Sequence, residues 1–326
     1  MATTIKDIAR LAGVSHMTVS RALNGSNLVT GKTRDKILSL AKELDYTTNL
    51  DAKGLVLNKK YCIAVVFSTL SSKTAPSFKL ACLNGVYQSL AKDYNLVIKD
   101  ISHGLGEFNL SRADGVIFVS QQESDDEFIR FALEHGVKLV VINRKINLPN
   151  VVSISVDEVN AAKKAVSYLL KRNYRKIAFI NGPEHLQSSI DRLSGYRLAL
   201  QQANLLNDYI VDGEFSFIGG FSAMQDLINS KENFDAVFCA NDEMAIGALK
   251  AVSDAGLRVP EDIAVVGFND SEICQFTTPS LTTIRKPIEQ MAKLGGEILF
   301  KLIGDISVTN STAELATELV IRDSVG

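Results

Sequence analysis

His16, Met17 and Arg21 bring together three side chains that can read the edges of base pairs. An arginine donates a bidentate pair to guanine O6 and N7, a histidine hydrogen-bonds a base edge, and a methionine contacts a thymine methyl. Each good pair contributes about 1–3 kcal/mol of discrimination. Thr18, Ser20 and Asn24 are of a type that suits phosphate oxygens, which fix register without reading sequence.

Helical spacing is what would gather these residues on one face. Thr4 with Asp7 three positions on forms a capping-box pattern, and Ile5, Ile8, Ala9 and Ala12 follow as one apolar stripe that Gly13 ends. Ser15 is placed to cap a second helix whose Val19, Ala22 and Leu23 point inward, leaving His16, Met17, Ser20 and Arg21 outward. A third helix is predicted from near Thr30, burying Ile37, Ala41 and Leu44, with Lys32, Arg34 and Lys36 on its solvent side. Two helices joined by a short Gly turn make a helix-turn-helix, whose second helix enters the major groove. A small bundle with a solvated polar face has the same pattern, so spacing alone leaves both open. Charge favours the first: Lys and Arg number 10 against 5 Asp and Glu between Thr4 and Lys60, while the remaining residues carry 25 against 32. A basic module followed by an acidic body suits a chain of which one part meets phosphate.

At 326 residues and 46% apolar content the chain has room for two or three domains. The N-terminus shows no basic-then-apolar signal segment and no run approaches the roughly 20 apolar residues that span a bilayer, so a cytoplasmic, membrane-free protein is expected. Cys62, Cys82, Cys239 and Cys274 lie far apart with no histidine at ligand spacing, which predicts buried fillers and neither disulfide nor metal. His16, His103, His135 and His185 are scattered, and no nucleophile elbow or P-loop occurs. The stretch "GLGEFN" at Gly104 to Asn109 completes no dinucleotide fingerprint. No cofactor and no enzymatic activity are expected.

From Tyr61 onward, apolar strands alternate with amphipathic helices. "CIAVVF" precedes a helix over 78–94, "GVIFV" one over 125–135, and "KLVVI" and "VVSISV" follow. "KIAFI" then precedes a helix over 188–204, "AVFCA" one over 242–255, and "IAVVGF" runs up to Asp270. Buried strands separated by helices predict parallel sheets covered on both faces, here as two doubly wound α/β lobes. Ligands of such sheets bind beyond the carboxyl ends of the strands, so the cleft between the lobes is the expected site.

The stretch "TIKDIARLAGVSHMTVSRALNGS", residues 4–26, closely resembles the head of the lactose and galactose repressor family of bacterial transcription factors, and "TRDKILSLAKELDY", residues 33–46, continues the likeness. "CANDEMAIGALKAVSDAGLRVPEDIAVVGFNDSE", residues 239–272, and "PSLTTIRKPIEQM", residues 279–291, resemble that family's effector domain, which is similar to periplasmic sugar-binding proteins. The resemblance implies a helix-turn-helix head over 1–46, a hinge over 47–60 and an effector-binding and dimerisation domain over 61–326. It divides the last into a first lobe of about 61–156 and 288–326 and a second of about 157–287.

It also assigns roles. Thr4, Ser15, His16, Met17, Thr18, Ser20, Arg21 and Asn24 fall on DNA-contacting positions of the head. Leu55, flanked by Ala52 and Lys53, takes the place of a hinge-helix leucine that enters the minor groove, where a wedge unstacks a base step. Thr48 stands where the family usually has Pro, and Gly54 weakens a helix by about 1 kcal/mol relative to Ala. Effector contacts carried over in the same way are Ser68, Asn143, Ser188, Arg192, Phe215, Asn241 and Asn269, with Asn269 standing where many members have Asp. These types suit a neutral polyol, because a guanidinium bridges adjacent hydroxyls, an amide donates and accepts, and an aromatic face covers the apolar side of a sugar ring. Taken singly, Arg192 also reads as a surface cation, Phe215 as a core filler and Asn241 as a helix cap.

The implied function is a transcriptional regulator, a repressor, bound as a homodimer to a near-palindromic double-stranded operator and controlled by a mono- or disaccharide. A purine-type corepressor-dependent repressor and a sugar-binding protein without regulatory coupling are the alternatives. No aromatic pair to sandwich a purine is evident after "AVVF", where "STLSSKTAPSF" stands. The 13 residues "DISHGLGEFNLSR", 100–112, are too few for a crossover helix between second and third strands, so a trimmed first lobe is predicted. With no leucine-repeat tail after "ATELVIRDSV", a dimer rather than a tetramer is expected.

Overall fold

Residues 4–23, 26–46, 59–70, 74–101, 112–205, 209–230, 233–308 and 312–326 are described by the computed structural model, in which the chain divides into two units, Met1–Tyr61 and Cys62–Gly326. In the first unit, helices α1 (Ile5–Ala12), α2 (His16–Leu23) and α3 (Gly31–Glu43) enclose Ile8, Val19, Ala22, Val29 and Ile37. Thr4 starts α1 by donating its backbone N–H (3.0 Å) and its hydroxyl (2.7 Å) to Asp7 Oδ2. Gly13 ends α1 at φ 72°, a left-handed conformation that glycine adopts without steric cost. Ser15 Oγ accepts the Thr18 N–H at 3.1 Å and so caps α2. Two details differ from expectation. Leu44 is only half-buried, as the residue that closes α3. Arg34 and Lys36 donate to the carbonyls of Ser26 (2.6 Å) and Ala12 (3.0 Å), so they tie α3 to the preceding segments.

The second unit is built from two six-stranded sheets. The first lobe contains β1 (Cys62–Phe67), α4 (Pro76–Ser89), β2 (Asn95–Asp100), β3 (Gly115–Val119), α5 (Asp126–Glu134), β4 (Leu139–Ile142) and β5 (Val152–Val156). The second lobe contains α6 (Glu158–Lys171), β6 (Ile177–Asn181), α7 (Gln187–Gln202), β7 (Tyr209–Asp212), α8 (Phe217–Asn229), β8 (Ala236–Cys239), α9 (Asp242–Asp254), β9 (Ala264–Asn269) and β10 (Thr282–Arg285). The chain returns to the first lobe with α10 (Ile288–Ile303) and β11 (Thr312–Leu315), then goes back with β12 (Glu318–Val320).

Sheet order is β11-β5-β4-β3-β1-β2 in one lobe and β12-β10-β9-β8-β6-β7 in the other. All pairings are parallel except β10 with β12. Both faces of the first sheet are buried at its central strands β1, β3, β4 and β5. Ile63, Val65 and Phe67 enter one apolar cluster with Met291 and Leu299 of α10, while the intervening Ala64 and Val66 enter another with Phe128 and Ile129 of α5. This two-sided burial explains why the strands read as apolar runs without alternation.

Three features depart from the sequence reading. Helices α6, α8 and α10, with strands β2, β7, β10 and β11, occupy stretches to which the sequence pattern assigns no element. The tail does not stay in the first lobe: β12 pairs with β10, and the Ser324 hydroxyl donates to the Val265 carbonyl at 2.6 Å, so 318–326 belongs to the second. The short connection between β2 and β3 is largely residues 102–111, which lie outside the described residues. Among the described residues no helix is long and apolar enough to cross a membrane, and no cluster of metal-binding side chains occurs.

Candidate functional site

On the first unit, α2 presents His16, Met17 and Arg21 to solvent, with Met17 54% exposed. An exposed methionine beside the exposed His16 and Arg21 leaves a face that the small core does not use. Ser20 and Thr18 are half-buried at its edge, Thr18 sharing a hydroxyl contact of 2.9 Å with Ser15, and Thr4 and Ser15 are exposed at the starts of α1 and α2. Asn24, Ala52, Lys53 and Leu55 lie outside the described residues.

On the second unit, a narrow cavity opens between the lobes. The first lobe lines it with Thr74, Ala75 and Phe78 from the start of α4, Gln121 after β3 and Asn143 after β4. From the second come Ser188 and Arg192 of α7, Phe215 after β7, Asn241 after β8 and Asn269 at the end of β9. Lys286, between β10 and α10, completes the wall. Six of the seven side chains expected at an effector therefore meet in one cavity, at the carboxyl ends of strands, as open parallel sheets require. Ser68 is not among the lining residues. Its hydroxyl donates to Asp125 Oδ1 at 2.8 Å, where it helps satisfy a buried carboxylate that also accepts from the Ser120 hydroxyl.

The wall residues are held from behind. Arg192, 3% exposed, lies over the Phe268 ring at 3.8 Å, donates Nε–H to Glu158 Oε2 at 2.9 Å and donates to the Ala240 carbonyl. It is no surface cation. Phe268 is itself the end of an aromatic series through Phe238 and Phe179 to Tyr196. Asn241 caps α9, its Oδ1 accepting from Met244 N–H at 2.9 Å, while its Nδ2 donates to the Phe215 carbonyl at 3.1 Å. The capping role and the lining role are thus held by one side chain. Asn143 (φ 81°), Phe215 (φ 55°) and Asn269 (φ 118°) take left-handed backbone conformations. Such positions cost about 1–3 kcal/mol each and gather where a wall must be aimed rather than merely packed.

Behind the wall, Glu158 Oε1 accepts from Lys286 Nζ at 2.7 Å, and Lys286 donates again to Asn143 Oδ1 at 2.6 Å. Burial opposes ionisation of Glu158, yet the Arg192 and Lys286 charges with their hydrogen bonds outweigh it and hold the carboxyl down at about 2. For Lys286 the balance goes the other way. Burial, reinforced by repulsion from Arg192, lowers its pKa despite the attraction of Glu158.

The first 46 residues or so match the model of the bacterial regulatory proteins of the lacI family over residues 4–49, and a periplasmic binding protein-like domain matches over 166–325. "Probable HTH-type transcriptional repressor ExuR" of Bacillus subtilis is 39% identical, with 99% of this chain and 98% of that protein covered. The chain belongs to the LacI family of bacterial regulators. The HTH-type transcriptional regulator CelR of Thermobifida fusca is 32% identical over 98% of both chains. Among solved structures, the lac repressor dimer bound to operator and the anti-inducer ONPF is similar with a TM-score of 0.84, 26% identity and 99% coverage of both chains. A CelR–cellobiose complex is similar with a TM-score of 0.72, 30% identity and 99% coverage of both.

As a LacI-family chain it carries the helix-turn-helix head and the two-lobed effector fold together. What the sequence left unnoticed in the cavity are Thr74, Ala75, Phe78, Gln121 and Lys286, with Glu158 behind them. Phe78 brings one aromatic ring from "STLSSKTAPSF" to the cavity, not a pair. Lys286 had one legible signal, a lysine directly before Pro287 where a strand passes to a helix.

Proposed function

We propose that this regulator is a repressor that grips a near-palindromic operator as a homodimer and changes that grip when a small polyhydroxylated ligand enters the cavity between its lobes. The observation that carries this reading is the convergence of Asn143, Ser188, Arg192, Phe215, Asn241 and Asn269 on one cavity. Amides and a guanidinium supply directed hydrogen bonds to hydroxyls, and Phe78 and Phe215 offer apolar faces to ring C–H groups. Relatives point the same way: one solved structure is a cellobiose complex and another is a dimer on operator. On the DNA side, His16, Met17 and Arg21 read bases while Thr4, Ser15, Thr18, Ser20 and Asn24 meet phosphate, and Leu55 with Ala52 and Lys53 serves the minor groove. The chain binds rather than transforms its ligand, and it works in the cytoplasm, where the operator is.

A thermal-shift screen of monosaccharides, sugar acids and disaccharides tests the pocket. A ligand that raises the melting temperature of the wild-type chain should lose its effect in Ser188→Ala and Arg192→Ala. A shift that survives both substitutions unchanged places the ligand elsewhere.

A further inference from the structure

Two cations and no carboxylate line the cavity. Arg192 and Lys286 are 3% and 4% exposed, and the other nine lining residues are uncharged. Glu158 behind the wall is the one carboxylate bonded to either. Asp191, the neighbour of Arg192, is half-buried and open to solvent, so the fully buried groups are two positive and one negative, one anion short. The other buried carboxylates nearby in the fold have their own partners. Asp242 accepts from Thr283 Oγ1 (2.6 Å) and Ser271 N–H (2.7 Å), Asp125 accepts from Ser68 and Ser120, and Glu243 accepts from Ser77 through Oε1 while its Oε2 has no partner among the described residues.

Donor capacity is left over as well. Lys286 uses two of its three N–H groups, on Glu158 and Asn143, and Arg192 uses two of its five, on Glu158 and Ala240. Asn269, 9% exposed in the same wall, leaves an acceptor instead, a buried side-chain oxygen with no partner among the described residues, which suits a ligand hydroxyl. An uncompensated buried charge is costly, and a charge-assisted hydrogen bond from the ligand is the direct way to offset it.

Taking the effector pocket proposed above as given, we infer that its ligand is a sugar acid: a monosaccharide-sized polyol bearing a single carboxylate, received by Lys286 and Arg192. One carboxylate brings the three buried charges to neutrality. A phosphate dianion would overshoot to a net negative site, and a neutral sugar leaves the excess cation where it is. The downward pull on Lys286 agrees with this shortage, since a lysine that shares its only carboxylate with an arginine is held in its charged form poorly.

Isothermal titration calorimetry on the full-length chain, with matched sets of glucose, gluconate, glucuronate and glucose 6-phosphate and the corresponding galactose set, tests the inference. One acid should bind on the order of 10²-fold more tightly than its neutral parent and its phosphate. Asn269→Asp places a carboxylate in the wall and should weaken the acid by at least about tenfold while sparing the neutral parent. Lys286→Met should erase the acid's advantage, with thermal melts confirming that both variants fold. Equal or tighter binding of a neutral sugar, or of a phosphate, overturns the inference but leaves the effector pocket standing. No binding by any member of either set overturns both.

Discussion

The ammonium of Lys286 lies 2.7 Å from the Glu158 carboxylate, and the two residues stand on different crossings between the lobes. Glu158 opens α6 just after the chain leaves β5, and Lys286 precedes α10 as it returns. The Gln187 N–H, which donates to the Gln121 carbonyl at 2.8 Å, also ties the lobes. A ligand that touches Lys286 therefore acts at one of the chain crossings that join the lobes. That is how occupancy of a cavity can become a change in lobe position.

The charge balance at this junction predicts an asymmetry. Glu158→Gln leaves two buried cations without a counter-charge and should lower the unfolding free energy of the second unit by about 3–5 kcal/mol. Lys286→Met brings the buried charge to zero and should cost no more than about 1 kcal/mol. Urea denaturation followed by circular dichroism measures both, and equal losses would show that the excess positive charge is not real.

Acid should reveal the same carboxylate. Its folded pKa of about 2 lies below the ordinary 4.5. A depressed carboxylate stabilises the fold above its unfolded pKa, and that stabilisation, about 3 kcal/mol, is lost as pH falls from about 4.5 toward 2. Asp242 and Glu243, pushed upward by burial, act in the opposite sense over the acid range. The clean observable is therefore the stability of wild type minus that of Glu158→Gln, which should shrink through this window. A difference that stays constant down to pH 2 contradicts the assignment.

Gly195 sits three residues after Arg192 on α7, and a Cβ there would overlap the Val159 carbonyl on α6. Gly195→Ala must push α7 away from the helix that carries Glu158. It should destabilise by about 1–3 kcal/mol and weaken ligand binding along with it. Parallel melts and titrations check this, and a variant that melts lower yet binds normally would uncouple helix spacing from the pocket.

For the head, Met17→Ala and Arg21→Ala should each cost about 1–3 kcal/mol on a selected operator and little on random duplex. Lys32→Gln should weaken both kinds of DNA alike and reduce the salt slope by about 1. Anisotropy titrations across a salt series separate the two behaviours. Equal losses on operator and random DNA for Arg21→Ala would remove it from the base-reading set.

Legibility in the sequence followed how local the signal is. The head was readable because capping by Thr4 and Ser15 and the Gly13 turn are all local. The central strands β1, β3, β4, β5, β6, β8 and β9 were readable because both of their faces are buried, whereas the more exposed edge strands β2 and β7 carry no such apolar run. The helix α8 was hidden by Gly219 and Gly220, which read as breakers. In the fold a Cβ at Gly220 would overlap the Met244 backbone, so the glycine is what lets α8 meet α9. The first half of the tail does lie in the first lobe, but β12 crosses back, and nothing local in "ELATELV" marks the change of sheet. Glu158 and Lys286 are separated by 128 positions, and only the double crossing of the chain brings them together.

The central claim is a coupling between the cavity and the operator. Its most direct test is the affinity of the full-length chain for an operator recovered by selection from random duplexes, measured by anisotropy with and without a saturating amount of whichever sugar or sugar acid calorimetry shows to bind. The affinity should change by a factor between about 5 and 150, in keeping with typical coupling energies, and the change should vanish in Ser188→Ala. A ligand that occupies the cavity and leaves operator affinity the same contradicts the account.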